Sequence, residues 1–104
     1  MELTIFWTLF AENKLFDIYA YYSKEAGVRT ARKLVTSIVD VTKNLINNPE
    51  MGVIEMLLED RPQNFRFLVF KNYKIIYWIN YQSNRIEIVN VFDCRQNPVK
   101  ISET

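Results

Sequence analysis

Residues 65–92 read FRFLVFKNYKIIYWINYQSNRIEIVNVF, and this stretch decides the fold. Its three apolar segments are rich in the β-branched and aromatic residues that favour strands: Phe65–Phe70, Tyr73–Tyr81 and Arg85–Phe92. The two breaks between them, Lys71-Asn72 and Gln82-Ser83-Asn84, are short and polar, as tight turns are. Strands joined by such short connections run antiparallel, so the stretch predicts a three-stranded meander.

The residues before the meander predict one more strand and a helical hairpin. Residues 3–8, LTIFWT, have strand character, and apolar residues then recur at helical spacing from Ala11 to Glu25. Gly27 supplies a break, and a second apolar stripe runs from Val28 to Ile46. Asn47-Asn48-Pro49 ends the second helix, because the residue before a proline disfavours the helical conformation.

The predicted order is β-α-α-β-β-β, an α+β fold in one domain that spans residues 1–104. We expect an antiparallel sheet that carries the helical hairpin on one face and leaves the other face at least partly open. Residues 49–64 form a connector between the helices and the meander. A chain of 104 residues that is 49% hydrophobic has the material for one such core.

Composition excludes several classes of protein and site. No apolar stretch approaches the roughly 20 residues that span a bilayer, and the N-terminus lacks the basic start and the cleavage site of a signal peptide. The single cysteine, Cys94, favours a reducing compartment, so we expect a cytoplasmic protein with no membrane partner. With no histidine and one cysteine, the sequence predicts no metal site and no cofactor. The net charge of +1 is far below that of a strong nucleic-acid binder, although residues 63–104 hold six Lys/Arg against three Asp/Glu.

Two stretches carry a resemblance to a known family. Residues 15–52, LFDIYAYYSKEAGVRTARKLVTSIVDVTKNLINNPEMG, and residues 65–98, FRFLVFKNYKIIYWINYQSNRIEIVNVFDCRQNP, stand in the order of a helical hairpin, a loop and three strands that end in an arginine-containing turn. This order resembles the RelE/ParE superfamily of toxins from bacterial type II toxin–antitoxin, or plasmid stabilisation, systems. The resemblance implies a small toxin that a cognate antitoxin neutralises. RelE-like members cut messenger RNA, often on the ribosome, whereas ParE-like members act on DNA gyrase, and the shared fold does not separate the two activities.

The resemblance also places three basic residues at positions that RelE-like enzymes use in RNA cleavage. Arg66, in FRFLV, matches a basic residue on the concave face of the sheet, and Lys74, in NYKIIY, matches a position that is usually arginine. Arg95, in DCRQNP, matches the arginine that follows the last strand. As catalytic residues, the three would clamp the scissile phosphate. The further candidate contacts to RNA or to another target are Lys71, Trp78, Asp93 and Lys100.

The alternation of side chains along a strand predicts a common surface for these residues. If the even-numbered residues of the first two meander strands share the open face, Arg66 and Lys74 lie together beside Trp78, with Arg95 at the rim. A cationic patch with an aromatic ring suits a phosphate and a stacked base. In the simpler interpretation the charges are solvated groups, and Trp78 belongs to the core or to an antitoxin interface.

The residues for proton transfer are incomplete. Family enzymes commonly supply a tyrosine or histidine near the C-terminal end, where this chain reads Pro98-Val99-Lys100-Ile101. The candidates that remain are Asp93 as base with Lys100 as acid, or Glu55 and Glu59 in the connector as bases. Cys94 has no histidine to activate it, so we expect it to pack rather than to act as a nucleophile.

Three hypotheses about function therefore stay open. The first is a toxin that cleaves messenger RNA on the ribosome, with Arg66, Lys74 and Arg95 at the scissile phosphate. The second is a ParE-type inhibitor of DNA gyrase without nuclease activity, which the missing histidine and C-terminal tyrosine favour. The third is a degenerate member that binds antitoxin but is not toxic. All three share one predicted partner, a cognate antitoxin whose amphipathic helix or extended tail packs on the toxin.

Overall fold

The computed structural model describes residues 2–104, which form two helices and a five-stranded sheet. The helices and strands, in chain order, are β1 Thr4–Trp7, α1 Leu9–Ala26, α2 Val28–Lys43, β2 Val53–Ile54, β3 Arg66–Phe70, β4 Tyr73–Asn80 and β5 Arg85–Asp93. Short 3₁₀ helices lie at Asn44–Ile46, Pro49–Met51, Met56–Leu58 and Pro98–Glu103. The predicted helices and meander strands are confirmed to within a few residues at their ends, and the short strand β2 is an addition within the connector.

The helical hairpin has local causes that the sequence contains. The Thr8 hydroxyl caps α1 by accepting a hydrogen bond from the Ala11 N–H at 3.2 Å. Gly27 separates the two helices with a φ of 95°, a backbone conformation that favours glycine. The second helix ends earlier than predicted, at Lys43, and continues as the 3₁₀ turn Asn44–Ile46.

The strand order across the sheet is β1-β5-β4-β3-β2. All neighbouring pairs are antiparallel except β1 and β5, which run parallel with Thr4 opposite Arg85 and Trp7 opposite Ile88. The expectation of an antiparallel sheet therefore needs one correction, because the first strand docks beside the last. No turn joins these two strands, so no local residue pattern specifies their direction.

The turn between β3 and β4 sets which side chains share a face. Phe70 pairs directly with Tyr73, so the loop contains two residues, Lys71 and Asn72. Each pair of residues across β3 and β4 therefore joins an even-numbered residue to an odd-numbered one, as in Arg66 with Tyr77 and Val69 with Lys74. Even-numbered residues of β3 share a face with odd-numbered residues of β4.

Apolar residues pack on both faces of the sheet. On the hairpin face, which is the side covered by α1 and α2, the core includes Ala11, Ile38, Leu45, Leu68, Tyr73, Ile75, Tyr77, Ile86, Ile88 and Val91. The opposite side, the second face, carries a smaller cluster of Leu58, Phe65, Ile76, Phe92 and Ile101. The connector and the C-terminal 3₁₀ helix supply part of this cluster, so the face expected to be at least partly open is covered in part.

Arg61 joins the two segments that cover the second face. Its guanidinium donates to the carbonyl oxygens of Thr104 and Ser102, at 2.5 Å each. The Asn90 side-chain amide of β5 also donates to the Thr104 hydroxyl at 2.9 Å. These bonds hold the C-terminal segment against the connector and the sheet.

Candidate functional site

Arg66 lies at the start of β3 and fastens the connector. Its guanidinium donates to the backbone carbonyl oxygens of Glu50 at 3.1 Å and Gly52 at 2.8 Å. The hydroxyl of the neighbouring Tyr77 donates to the Pro49 carbonyl at 2.7 Å and accepts from the Gly52 N–H at 2.9 Å. Arg66 and Tyr77 together hold residues 49–52 against the sheet.

Lys74 points to the second face, where it pairs with Glu55. Its ammonium lies 2.9 Å from the Glu55 carboxylate and 4.2 Å from the centre of the Phe67 ring. Glu55 is only 3% exposed, and its other carboxylate oxygen accepts from the Leu57 N–H at 3.1 Å. The pair is mostly withdrawn from water, so each charge depends on the other.

Arg95 lies in the turn after β5 and is held by Asp93. Its Nε and Nη2 donate to the Asp93 carboxylate at 3.0 Å and 2.8 Å, and its backbone N–H donates to the same carboxylate at 2.9 Å. Asp93 pairs with Tyr73 of the neighbouring strand β4, and Tyr22 from α1 lines one cavity together with Tyr73, Asp93 and Arg95. The arginine therefore lies at the hairpin side of the molecule.

The network around Arg95 shifts the pKa values of four side chains, including that of Arg95 itself. Hydrogen bonds and the charge of Arg95 lower the pKa of the Asp93 carboxyl from its ordinary value. Hydrogen bonds from Tyr73 and Arg95 lower the pKa of the Tyr22 phenol, whereas burial, with the Tyr22 hydrogen bond, raises the pKa of Tyr73. The Arg95 guanidinium stays charged, because Asp93 and Tyr22 raise its pKa further.

The three basic residues predicted to form one clamp do not converge. Arg66 shares the hairpin face with Tyr77, whereas Lys74 lies on the second face, because the two-residue turn reverses the parity of paired residues. Arg66 begins β3, whereas Arg95 lies near the β3–β4 turn at the other end of that strand. In this turn, the Asn72 carbonyl accepts a hydrogen bond at 2.7 Å from the N–H of Cys94, the neighbour of Arg95. The predicted surface with Arg66, Lys74 and Trp78 side by side is therefore wrong, as is a position for Arg95 at its rim.

The other candidate contacts lie in different surroundings. Trp78 is half-buried on the second face opposite Glu87 and packs against the cluster there, so it shares a face with Lys74 but not with Arg66. Lys71 occupies the β3–β4 turn with a φ of 53°, and Lys100 is exposed in the C-terminal 3₁₀ helix. Asp93 meets Arg95 directly.

The residues that lie beside the candidate cations were not predictable from the sequence. Glu55, a candidate base from the sequence, is the buried counter-ion of Lys74, and a lysine in a strand flanked by core residues is the one signal that such a carboxylate exists. Tyr22 is not among the candidate residues that the sequence predicts, yet it lines one cavity with Arg95. Cys94 is exposed and not packed. Within residues 2–104, no group of three His, Cys, Asp or Glu side chains is arranged to hold a metal ion.

Two cavities meet at Tyr22 and Tyr73. One, of about 430 Å³, lies between α1 and the end of β5 and includes Arg95 and Asp93 in its wall. The other, of about 540 Å³, lies between α2 and the β3–β4 turn and includes Lys71. None of the helices in the described part of the chain is both long and apolar enough to cross a membrane.

The fold is a hairpin of two helices on a five-stranded sheet, with Arg95 in the turn after the last strand. The sequence profile described as the ParE toxin of the type II toxin–antitoxin system parDE matches residues 5–98, and the chain belongs to that family. A solved structure, titled as a chromosomal ParDE system from P. aeruginosa, superposes with a TM-score of 0.73. It is 22% identical, with 88% of this chain and 96% of that chain covered, so this likeness shows the fold. No curated protein matches the sequence.

Proposed function

We propose that this ParE toxin arrests growth by binding DNA gyrase and that it does not cut RNA. The observation that carries the proposal is the separation of Arg66, Lys74 and Arg95, which occupy different faces and ends of the sheet. A phosphate in the act of cleavage needs its cationic groups on one side, directed at one point. The match to the ParE branch of the superfamily supports gyrase as the target.

The internal pairing of charges also argues against RNA cleavage. Metal-free cleavage of RNA requires a base for the 2′-hydroxyl and an acid for the leaving oxygen. Asp93 and Glu55, two of the carboxylates considered as bases, are each engaged by a cation of the chain itself, at 2.8 Å and 2.9 Å. The lowered pKa of the Asp93 carboxyl makes it a weaker base, and the Glu55 carboxylate is buried against Lys74, with 3% of its surface exposed.

A supercoiling assay with purified components tests the proposal. Gyrase, relaxed plasmid and ATP are incubated with increasing amounts of the toxin, and we expect the supercoiled product to fall with toxin concentration. In parallel, the toxin is added to ribosomes translating a defined messenger, and primer extension should show no new ends. Unaltered gyrase activity at saturating toxin would contradict the proposal, and new ends at defined codons would establish the RNA-cleaving alternative.

We further propose that a cognate antitoxin covers apolar side chains on the outer surface of α1. Leu9 and Phe16 are 72% and 68% exposed, and Phe10 and Tyr21 are also exposed. Exposed apolar residues clustered on one helix fit the amphipathic helix or extended tail of such a partner.

Deletion of the reading frame beside the gene should make the toxin gene lethal. Healthy cells after the deletion, with antitoxin binding retained in vitro, would instead identify a member that has lost toxicity.

A further inference from the structure

A cavity of about 540 Å³ between α2 and the β3–β4 turn carries positive charge that no function described above uses. Arg29 and Lys33 are one helical turn apart on α2 and both line the cavity, because residues four apart share a helix face. Lys71 reaches it from the turn, where the left-handed backbone of this residue places it at the tip of the β-hairpin. We call Arg29, Lys33 and Lys71 the basic cluster.

The basic cluster has no counter-charge among the described residues. Among residues 2–104, none of its three members forms an ion pair, and no carboxylate lines the cavity. By contrast, Arg66, Lys74 and Arg95 are all engaged by oxygen atoms of the chain. Three like charges around one cavity repel one another in the free protein, and a bound anion relieves that repulsion.

The remaining polar groups of the cavity are suited to a phosphate. Thr30 and Ser37 contribute hydroxyls that can donate hydrogen bonds, which complement the acceptor-only oxygens of a phosphodiester, and Tyr22 also lines the cavity. The tyrosine ring adds a flat surface for a sugar or base beside the cations. The net charge of the whole chain is only +1, so the attraction is local to this cavity.

We propose that the basic cluster binds the phosphate backbone of the DNA on which gyrase acts. The choice of DNA rests on the proposed function, since gyrase holds a DNA duplex while it is inhibited. The cavity lies at the end of the molecule where the β3–β4 turn and α2 meet, away from the exposed apolar residues Leu9 and Phe10 at the start of α1.

Fluorescence anisotropy with a short labelled DNA duplex at low salt tests this site. The cavity variant is Lys33→Gln/Lys71→Gln, and the matched control is Arg32→Gln/Lys43→Gln, which removes the same charge from exposed positions of α2 outside the cavity. We expect the wild type and the control to bind alike and the cavity variant to bind more weakly. The slope of log K against log salt should fall in magnitude by about 2 in the cavity variant alone, since each phosphate contact contributes about 0.9.

Three results would overturn the assignment. Equal weakening of both variants would show a general charge effect, and absence of binding by the wild type would show that there is no DNA site. Tighter binding of a labelled RNA of the same length than of the duplex would assign the cavity to RNA. The supercoiling assay keeps the two proposals distinct, because wild-type inhibition of gyrase with unchanged DNA binding by the cavity variant refutes only the basic-cluster site. Wild-type toxin that leaves gyrase unaffected refutes the proposed target, whatever the DNA binding shows.

Discussion

At the scale of single residues, Lys74 has a structural role in the described chain. Its ammonium lies between the Glu55 carboxylate and the Phe67 ring, and the carboxylate is 3% exposed. A charge so far removed from water is stable only with its partner present. The lysine therefore joins β4 to the connector. Its place in the NYKIIY sequence is explained by its packing against Glu55 and Phe67.

Loss of the lysine charge should destabilise the protein strongly. Lys74→Met retains the apolar stem but leaves the Glu55 carboxylate buried without a counter-charge, and we expect the free energy of unfolding in urea to fall by about 3 kcal/mol. Glu55→Gln/Lys74→Met removes both charges while keeping an acceptor for the Leu57 N–H. The double variant should recover part of the loss. A double variant no more stable than Lys74→Met would contradict a role for the charge pair.

Arg95 provides a second residue-scale prediction through the ionisation of Asp93. The arginine lowers the pKa of this carboxyl below its ordinary value of 3.8, so Arg95→Gln should raise it towards that value. Titration of the carboxyl carbon by NMR measures the change, and Arg32→Gln is the control that should leave it unaltered. A carboxyl whose pKa is unaffected by Arg95→Gln would contradict the pairing.

The sign of the pH dependence follows from the direction of this shift. Because the pKa of Asp93 is lower in the folded chain than in the unfolded chain, the pair stabilises the fold above the ordinary pKa. That stabilisation is lost as the pH falls through the folded-state pKa. The difference in unfolding free energy between wild type and Arg95→Gln should therefore be largest near neutral pH and should shrink in acid.

At the scale of elements, turn length explains both a success and a failure of sequence reasoning. The breaks at Lys71-Asn72 and Gln82-Ser83-Asn84 predicted the meander correctly, because turn residues and apolar segments are local signals. The face of each side chain depends on the register, and Phe70 pairing with Tyr73 places Arg66 and Lys74 on opposite faces. A two-residue turn implies this parity. The length of the turn is therefore sufficient to predict which residues of β3 and β4 share a face.

The parallel pairing of β1 with β5 had no such local signal. Thr4 and Arg85 are partners although both helices and three other strands lie between them in the sequence. Glu55 with Lys74 and Tyr22 with Arg95 also join segments that are far apart in sequence. Residue types identified the candidate site residues, but their partners are a property of the tertiary fold.

The C-terminal 3₁₀ helix, Pro98–Glu103, is predicted to contribute to stability through one side chain. Ile101 is 1% exposed in the cluster on the second face, and Ile101→Ala should lower the free energy of unfolding by about 2–4 kcal/mol. Val99 lies in the same helix but is 72% exposed, so Val99→Ala should change it by less than about 0.5 kcal/mol. Equal effects of the two substitutions in urea unfolding would show that this segment does not pack on the sheet.

At the scale of the whole molecule, one sheet separates two sets of interactions. The hairpin face contains the larger core, with Arg66 at one end and the Arg95 network at the other, whereas Lys74 lies in the smaller cluster behind the sheet. A cation that stabilises the fold is not free to clamp a phosphate. The basic cluster of Arg29, Lys33 and Lys71, which forms no ion pair within residues 2–104, is a separate surface between α2 and the β3–β4 turn.

The topology of a reporter plasmid in cells that express the toxin is the most direct test of whether the toxin inhibits gyrase or cuts RNA. Induction is followed by electrophoresis in chloroquine gels, which resolves plasmids by linking number, with full-length transcripts monitored in the same samples. If the toxin inhibits gyrase, the plasmid should lose negative supercoils before growth stops while transcripts stay intact. Growth arrest with normal supercoiling and transcripts cut at defined positions would contradict the proposed inhibition of gyrase.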